Sequence, residues 1–202
     1  MRIKSKWFRA DREHTPAELA GAVAFNISRI AENALKNTRK AKFDIEIGPQ
    51  YFDFLREFLV FLILVADRLA YRQFSEDERV TFTSALANHV GATYAENQSR
   101  LMEREFGACK QKFIDSLNER AGEYAEFNYT ENGPEYAFLR YLAYCLNQIM
   151  DEKDSGWIID QIISIEAPEA IDMLEGNFKD LLHAKPTKAR PARKRLTAPK
   201  EA

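Results

Sequence analysis

Residues 51–74, YFDFLREFLVFLILVADRLAYRQF, form the segment on which the predicted fold depends. Their middle part, residues 58–66, has no polar side chain on any face, so a helix formed there must be buried on all sides. The other helical patterns of the chain have one apolar face each, as expected for helices that cover one side of a central helix. The sequence therefore predicts an all-α fold, an irregular bundle of six to seven helices around a buried central helix at about residues 49–74.

A membrane-spanning role is the competing interpretation of this segment. Its nine consecutive apolar residues rise only ~14 Å as a helix, about half of the ~30 Å hydrocarbon core of a bilayer. Arg56 and Glu57 precede the apolar run, and Asp67 and Arg68 follow it. Length and charge both favour a buried core helix, and no membrane span is expected.

Composition and charge predict three parts in the chain. Its 202 residues are 46% hydrophobic, which suits one domain with a sizeable core. Residues 1–14 are interpreted as an N-terminal arm, residues 15–183 as a single helical domain and residues 184–202 as a disordered basic C-terminal tail. The tail has three prolines, no aromatic residue and one leucine, too little apolar surface to fold. It carries seven basic residues and one acidic residue, against 22 basic and 30 acidic residues in the rest of the chain.

Capping signals locate two helix starts. Thr15 with Glu18, and Ser75 with Glu78, each place a hydroxyl three residues before a glutamate, the pattern of a capping box. The apolar pattern of residues 75–127 fits either one very long helix or two in sequence, and ordinary helix lengths favour a break near Gly107.

The C-terminal half contains three further boundaries. Residues 128–134, NYTENGP, are predicted to form a loop, with Pro134 opening the next helix. Residues 157–165, WIIDQIISI, suit a strand by composition but show helical spacing, and they are predicted to be helical. Pro168 is predicted to start a final helix.

Residues 43–47 alternate between apolar and acidic side chains. A short strand there needs a partner for its backbone, and the only other alternating segment is the basic residues 2–7. A two-stranded ribbon between these segments and an extended linker are both consistent with the pattern.

No catalytic, metal or phosphate motif is present. The three histidines, His14, His89 and His183, are isolated, and no Glu precedes a His by three residues, so di-iron ligands are missing. Cys109 and Cys145 lie in apolar helical patterns, which indicates buried thiols in a reducing, cytoplasmic compartment. We therefore expect no catalytic residue, metal or cofactor, although an enzyme built from residues distant in sequence stays open.

Three charged features are candidate binding sites. Asp67, Arg68 and Arg72 end the central helix, where they would either orient a small ligand at the edge of the core or form structural salt bridges. Residues 119–136 combine five glutamates with four aromatic residues, typical of a solvated edge or of a docking surface for a basic peptide, including the chain's own tail. The tail supplies five polyanion-binding candidates: Lys188, Arg190, Arg193, Lys194 and Arg195.

The function favoured by the sequence is non-enzymatic protein–protein association, because aromatic residues are plentiful and catalytic constellations are missing. The expected partner is a second copy of the chain, giving a homodimer, or another protein. One alternative is a helical pocket for a small molecule or lipid. The other is nucleic-acid association through the basic tail, which competes with a purely solubilising role for that segment.

Overall fold

The chain folds into a helical bundle, as predicted. The computed structural model describes residues 14–183, so the predicted tail and all but the last residue of the predicted arm lie outside it. The described elements are α1 (Pro16–Lys40), α2 (Pro49–Tyr71), α3 (Glu76–Met102), α4 (Phe106–Tyr124), β1 (Tyr129–Thr130), β2 (Gly133–Pro134), α5 (Tyr136–Asn147), α6 (Glu152–Gln161), a π-helical turn (Ile162–Glu166) and α7 (Ala167–Leu182).

The buried central helix is α2, in agreement with the prediction. It packs against α1, α3, α4, α5 and α7, and between residues 58 and 66 only Leu64 is partly exposed. Phe58 packs against Phe54 and Phe61, with ring centroids 5.9 Å apart in both pairs. Each buried side chain of this size stabilises the fold by ~1.5–3 kcal/mol relative to an exposed one. Among the helices of residues 14–183, none has the length and apolar character needed to cross a membrane.

Both predicted capping boxes are present. The Thr15 hydroxyl accepts a hydrogen bond from the Glu18 amide at 3.3 Å, and the Glu18 carboxylate accepts one from the Thr15 amide at 3.2 Å. Ser75 and Glu78 make the same reciprocal pair at the start of α3. Two of the four amides left open at each helix start are satisfied in this way, which fixes where α1 and α3 begin.

Residues 75–127 form two helices, with the break at residues 103–105. Glu103 has a left-handed backbone (φ 52°) and ends α3, and Glu105 caps α4 by accepting a hydrogen bond from the Gly107 amide at 2.7 Å. The break therefore comes just before the predicted position at Gly107. A carboxylate cap, rather than the conformational freedom of a glycine, determines where α4 starts.

Residues 43–47 join α1 to α2, and the choice between a linker and a ribbon stays a prediction. Residues 43–46 have no strand pairing with any other described residue, and the ribbon partner considered above, residues 2–7, lies outside the described residues. Asp44 accepts a hydrogen bond from Lys153 at 2.6 Å, and Ile45 is 1% exposed in the core. Residues 43–47 are thus held by this ion pair, by a hydrogen bond from the Asp44 amide to Asp154 at 3.0 Å and by the buried Ile45 side chain.

The predicted loop of residues 128–134 contains a small hairpin. Tyr129 pairs with Pro134 and Thr130 with Gly133, whose φ of 100° suits a residue without a side chain. The prediction that Pro134 opens the next helix is wrong, because Pro134 lies in β2 and α5 begins at Tyr136.

The predicted helix at residues 157–165 is confirmed, but no gap separates it from the final helix. A π-helical turn, in which the Ala167 amide donates to the Ile162 carbonyl, joins α6 directly to α7. Pro168 has no amide hydrogen and would clash in a regular helix, so the wider π turn accommodates it without breaking the rod. Residues 14–183 accordingly contain seven α-helices, or six if this rod is counted once.

Candidate functional site

Asp67, the first predicted ligand-binding residue, is bound to α3. Its carboxylate accepts hydrogen bonds from Arg79 Nε at 2.9 Å and from Thr83 Oγ1 at 2.8 Å, and a second guanidinium nitrogen of Arg79 completes a bidentate pair. The guanidinium of Arg79 also lies 5.1 Å from the centre of the Tyr71 ring. These contacts use both carboxylate oxygens of Asp67 in joining the end of α2 to the start of α3.

Arg68 and Arg72 point to other neighbours. Arg68 donates to the backbone carbonyl of Tyr124, the last residue of α4, at 3.1 Å. Arg72 donates to the carbonyls of Tyr129 and Thr130 in the hairpin, and its guanidinium lies 5.4 Å from the centre of the Tyr129 ring. The three residues therefore share a helix end but have separate structural roles, and small-molecule binding by them stays a prediction.

One cavity lies between α1, α2 and α3. It encloses about 20 Å³ and is lined by Ser28, Glu32, Phe52, Leu55, Leu59, Thr93, Tyr94 and Asn97. That volume holds about one water molecule, whereas ligand pockets usually measure ~300–1,000 Å³. It includes none of the three predicted ligand-binding residues and gives no support to a lipid or small-molecule pocket.

A buried charged cluster between α2 and α4 was missed by the sequence reasoning. The Glu57 side chain is 6% exposed and accepts hydrogen bonds from Arg120 at 2.9 Å and 3.4 Å. Arg56 lies 3.7 Å from the same carboxylate, and Arg120 also donates to Glu123 at 2.8 Å. The signal in the sequence was Glu57 itself, a lone carboxylate next to the apolar run, since a buried carboxylate requires a cationic partner.

Arg120, Tyr141 and Cys145 keep their ordinary protonation states near neutral pH. Burial opposes the charge of Arg120, but its hydrogen bonds to Glu57 and Glu123 outweigh burial and raise its pKa. Burial also raises the pKa of the Tyr141 hydroxyl, further raised by its hydrogen bond to Glu123. Burial raises the pKa of Cys145 to about 11, so this thiol is protonated near neutral pH and is a poor nucleophile. The cluster is suited to holding helices together.

The cysteines and histidines match a structural role. Cys109 and Cys145 are both buried and free, as predicted for buried thiols. His14 lies 4.0 Å from Glu18, and the position of Gly21 on α1 faces His89 on α3. Within residues 14–183, no group of three His, Cys, Asp or Glu side chains is placed to hold a metal ion. The five predicted polyanion-binding residues of the tail lie outside the described residues.

The acidic and aromatic residues of 119–136 are largely separated in space. Tyr124 is buried, and its ring centre lies 4.6 Å from that of Phe138 in the core. Glu126, Glu131 and Glu135 are exposed around the hairpin. Of the four aromatic residues in this segment only Tyr136 is largely exposed, at 64%. The edge is therefore an acidic surface with one exposed ring.

Exposed aromatic side chains lie on α5 and α6. Tyr136 and Tyr144 are 64% and 56% exposed, and Trp157 on α6 is 73% exposed. Tyr136, Arg140 and Tyr144 follow one another at four-residue spacing and lie on one face of α5, whose opposite face is buried. We call Tyr136, Arg140, Tyr144 and Trp157 the α5–α6 aromatic surface.

Comparisons with protein-family models, with curated proteins and with solved structures gave no match. By its geometry, the described part of the chain is an all-α bundle with a buried central helix and with exposed aromatic side chains on α5 and α6.

Proposed function

We propose that this chain is a non-enzymatic cytoplasmic protein that acts by helix-mediated association, and that it forms a homodimer through the α5–α6 aromatic surface. The observation that carries the proposal is Trp157, a large aromatic side chain that is 73% exposed. Tyr144 and Tyr136 are exposed on the neighbouring helix. Trp, Tyr and Arg are the residue types enriched in the energetically dominant parts of protein interfaces.

The size of this surface suits the centre of an interface. Aromatic side chains bury about 150–250 Å² each, so the exposed parts of Tyr136, Tyr144 and Trp157 would together contribute roughly 300–500 Å² of contact. A standard interface buries ~800 Å² on each partner. The three rings would therefore form the apolar centre, and the surrounding residues of α5 and α6 the rim. A two-fold arrangement lets the same surface serve both copies.

Two further observations support a role in association in the cytoplasm. The buried carboxylate of Glu57 is already bound by Arg120, which is the arrangement of a structural ion pair rather than of an available acid or base. The free thiols of Cys109 and Cys145 suit a reducing compartment.

The test is the molar mass of the full chain by light scattering over micromolar concentrations. We expect a dimer for the unchanged chain and a monomer for Tyr144→Ser and Trp157→Ser. The matched control is Phe25→Ser on α1, which removes an aromatic ring that is 49% exposed on another helix and is expected to leave the dimer intact. A monomer mass for the unchanged chain at every concentration would refute the proposal. So would a dimer that Phe25→Ser dissociates and Trp157→Ser does not.

A further inference from the structure

We infer that the basic C-terminal segment, residues 184–202, binds in cis to the acidic surface around the hairpin of the same chain. We call this the hairpin surface and define it by the exposed residues Glu126, Glu131 and Glu135. Three observations favour the hairpin surface as the binding site. They are the place where the segment leaves the bundle, the opposite charges of segment and surface, and the contacts that the hairpin already makes with Arg72.

The segment starts at the end of the bundle that carries the hairpin. Glu175 on α7 accepts a hydrogen bond from the Tyr129 hydroxyl of β1 at 3.2 Å. Further along α7, the ring of Phe178 lies 5.8 Å from that of Phe82 near the start of α3. The helix therefore runs towards this end and finishes beside it, about 12 Å past Glu175 at ~1.5 Å per residue.

Charge complementarity is strong at this end. Residues 14–183 contain 17 basic and 28 acidic side chains, a net charge of −11, whereas residues 184–202 carry +6. Between Arg120 and Arg140 the chain has four glutamates and no lysine or arginine, and three of the four surround the hairpin. Three exposed carboxylates therefore flank the hairpin, against the one guanidinium of Arg72 that it binds, and their attraction to the basic segment lowers the free energy of contact.

The hairpin already binds one guanidinium. Arg72 donates hydrogen bonds to the carbonyls of Tyr129 and Thr130, and its guanidinium lies 5.4 Å from the Tyr129 ring centre. Arginine suits such a site because its planar group can donate several hydrogen bonds and stack on an aromatic face. The exposed carboxylates of Glu126, Glu131 and Glu135 around the hairpin can accept hydrogen bonds from further arginines.

Length is no obstacle to binding in cis. The 19 residues can span up to ~60 Å when extended at ~3.3 Å per residue. Because segment and surface belong to one molecule, even weak contacts are favoured by a high effective concentration. Exposed charge pairs are screened by salt, so this binding must weaken as ionic strength rises.

The direct test is zero-length carbodiimide crosslinking of the full chain at low ionic strength, which joins lysine amines to carboxylates in contact. Crosslinked peptides from the monomer fraction are then identified by mass spectrometry. We expect Lys188 and Lys194 to be joined mainly to Glu126, Glu131 and Glu135, and these products to be lost in high salt. Crosslinks spread evenly over acidic residues of the whole body, or found only at other positions, would overturn the inference.

Two triple variants that remove the same amount of charge distinguish binding at the hairpin surface from general electrostatic attraction to the acidic bundle. Glu126→Gln, Glu131→Gln and Glu135→Gln together remove the hairpin charges. The control triple, Glu96→Gln, Glu103→Gln and Asp160→Asn, removes three exposed charges elsewhere. The backbone NMR signal of Gly133 provides a readout that does not depend on the carboxylates. We expect deletion of residues 184–202 to shift the Gly133 signal in the control triple variant and to leave it unchanged in the hairpin triple variant. A shift in the hairpin triple variant without one in the control would contradict the inference.

A mixture of unlabelled and ¹⁵N-labelled chains distinguishes binding in cis from binding between copies. Crosslinks that stay within one isotope support the inference, and crosslinks that are mainly mixed overturn it. Short DNA or RNA added as a competitor provides a further arm. The inference would also fail if no crosslink to the hairpin surface formed in the absence of this nucleic acid.

Discussion

Replacing Arg120 by methionine tests how much the buried charged cluster contributes to the fold. The Glu57 carboxylate is 6% exposed and receives its two hydrogen bonds from Arg120. After Arg120→Met, the remaining cation near Glu57 is Arg56, at 3.7 Å. A buried carboxylate that has lost its hydrogen-bonded partner is strongly destabilising, because water cannot replace the missing donors.

The expected loss of unfolding free energy for Arg120→Met is ~3 kcal/mol, the lower end of the ~3–5 kcal/mol found when one partner of a buried pair is removed. The lower end applies because the Arg120 side chain is 20% exposed and Arg56 partly compensates the charge. Glu57→Leu should cost less, since Arg120 keeps its hydrogen bond to Glu123. The double variant should lose only ~1 kcal/mol, because an apolar pair of similar volume replaces an ion pair well.

The assay is urea denaturation followed by circular dichroism at neutral pH for the four members of this double-mutant cycle. The control is Lys153→Met, which removes the ion pair to Asp44, whose partners are both more than half exposed. That change should leave the free energy of unfolding almost unchanged, because an exposed ion pair contributes little to stability. The reasoning is refuted if Arg120→Met costs no more than Lys153→Met, or if the two single effects simply add in the double variant.

Four further changes have expected outcomes in the same denaturation assay. In Gly91→Ala the new Cβ would lie 3.0 Å from the buried ring of Phe113. This variant should lose ~1 kcal/mol of unfolding free energy, because the cost of overpacking exceeds the gain in helix propensity. Gly176→Ala, with open space around it, should stabilise by ~0.5–1 kcal/mol. Burial raises the pKa of Glu166 in the folded chain above its ordinary value of 4.5. The free energy of unfolding therefore falls as the pH rises through this raised pKa. Glu166→Gln should be more stable than the unchanged chain at neutral pH and should lose this advantage below pH 4.5. Asp67→Asn should cost ~1–2 kcal/mol through its lost ion pair, and a binding defect without this loss would contradict the structural role.

Helix positions were largely predictable from the sequence because they depend on local chemistry. The apolar run of α2 and the capping boxes at Thr15 and Ser75 act within a few residues, and the structure has all three. The predicted break near Gly107 is present at residues 103–105, and the cap of α4 comes from the carboxylate of Glu105 and not from the nearby glycine. The π turn before Pro168 could not be predicted, since it is a compromise between a proline and continuous packing.

The candidate site was harder to predict because it depends on which side chains face each other. Asp67 and Arg68 are adjacent in sequence, but successive helical residues point about 100° apart, so Asp67 contacts α3 and Arg68 contacts the end of α4. Glu57 and Arg120 are 63 residues apart and meet only through the packing of α2 on α4. The exposure of Trp157 was hidden too, because its segment has helical spacing and an apolar composition typical of a core.

The proposed dimer is tested most directly by the solvent exposure of Trp157 as a function of protein concentration. Trp7→Phe leaves Trp157 as the single tryptophan, so fluorescence then reports on the α5–α6 aromatic surface alone. Association through this surface predicts that the emission shifts to shorter wavelength and that acrylamide quenching falls as the concentration rises from nanomolar to micromolar. Emission at long wavelength with full quenching at every concentration, in a chain that light scattering shows to be dimeric, would contradict the account.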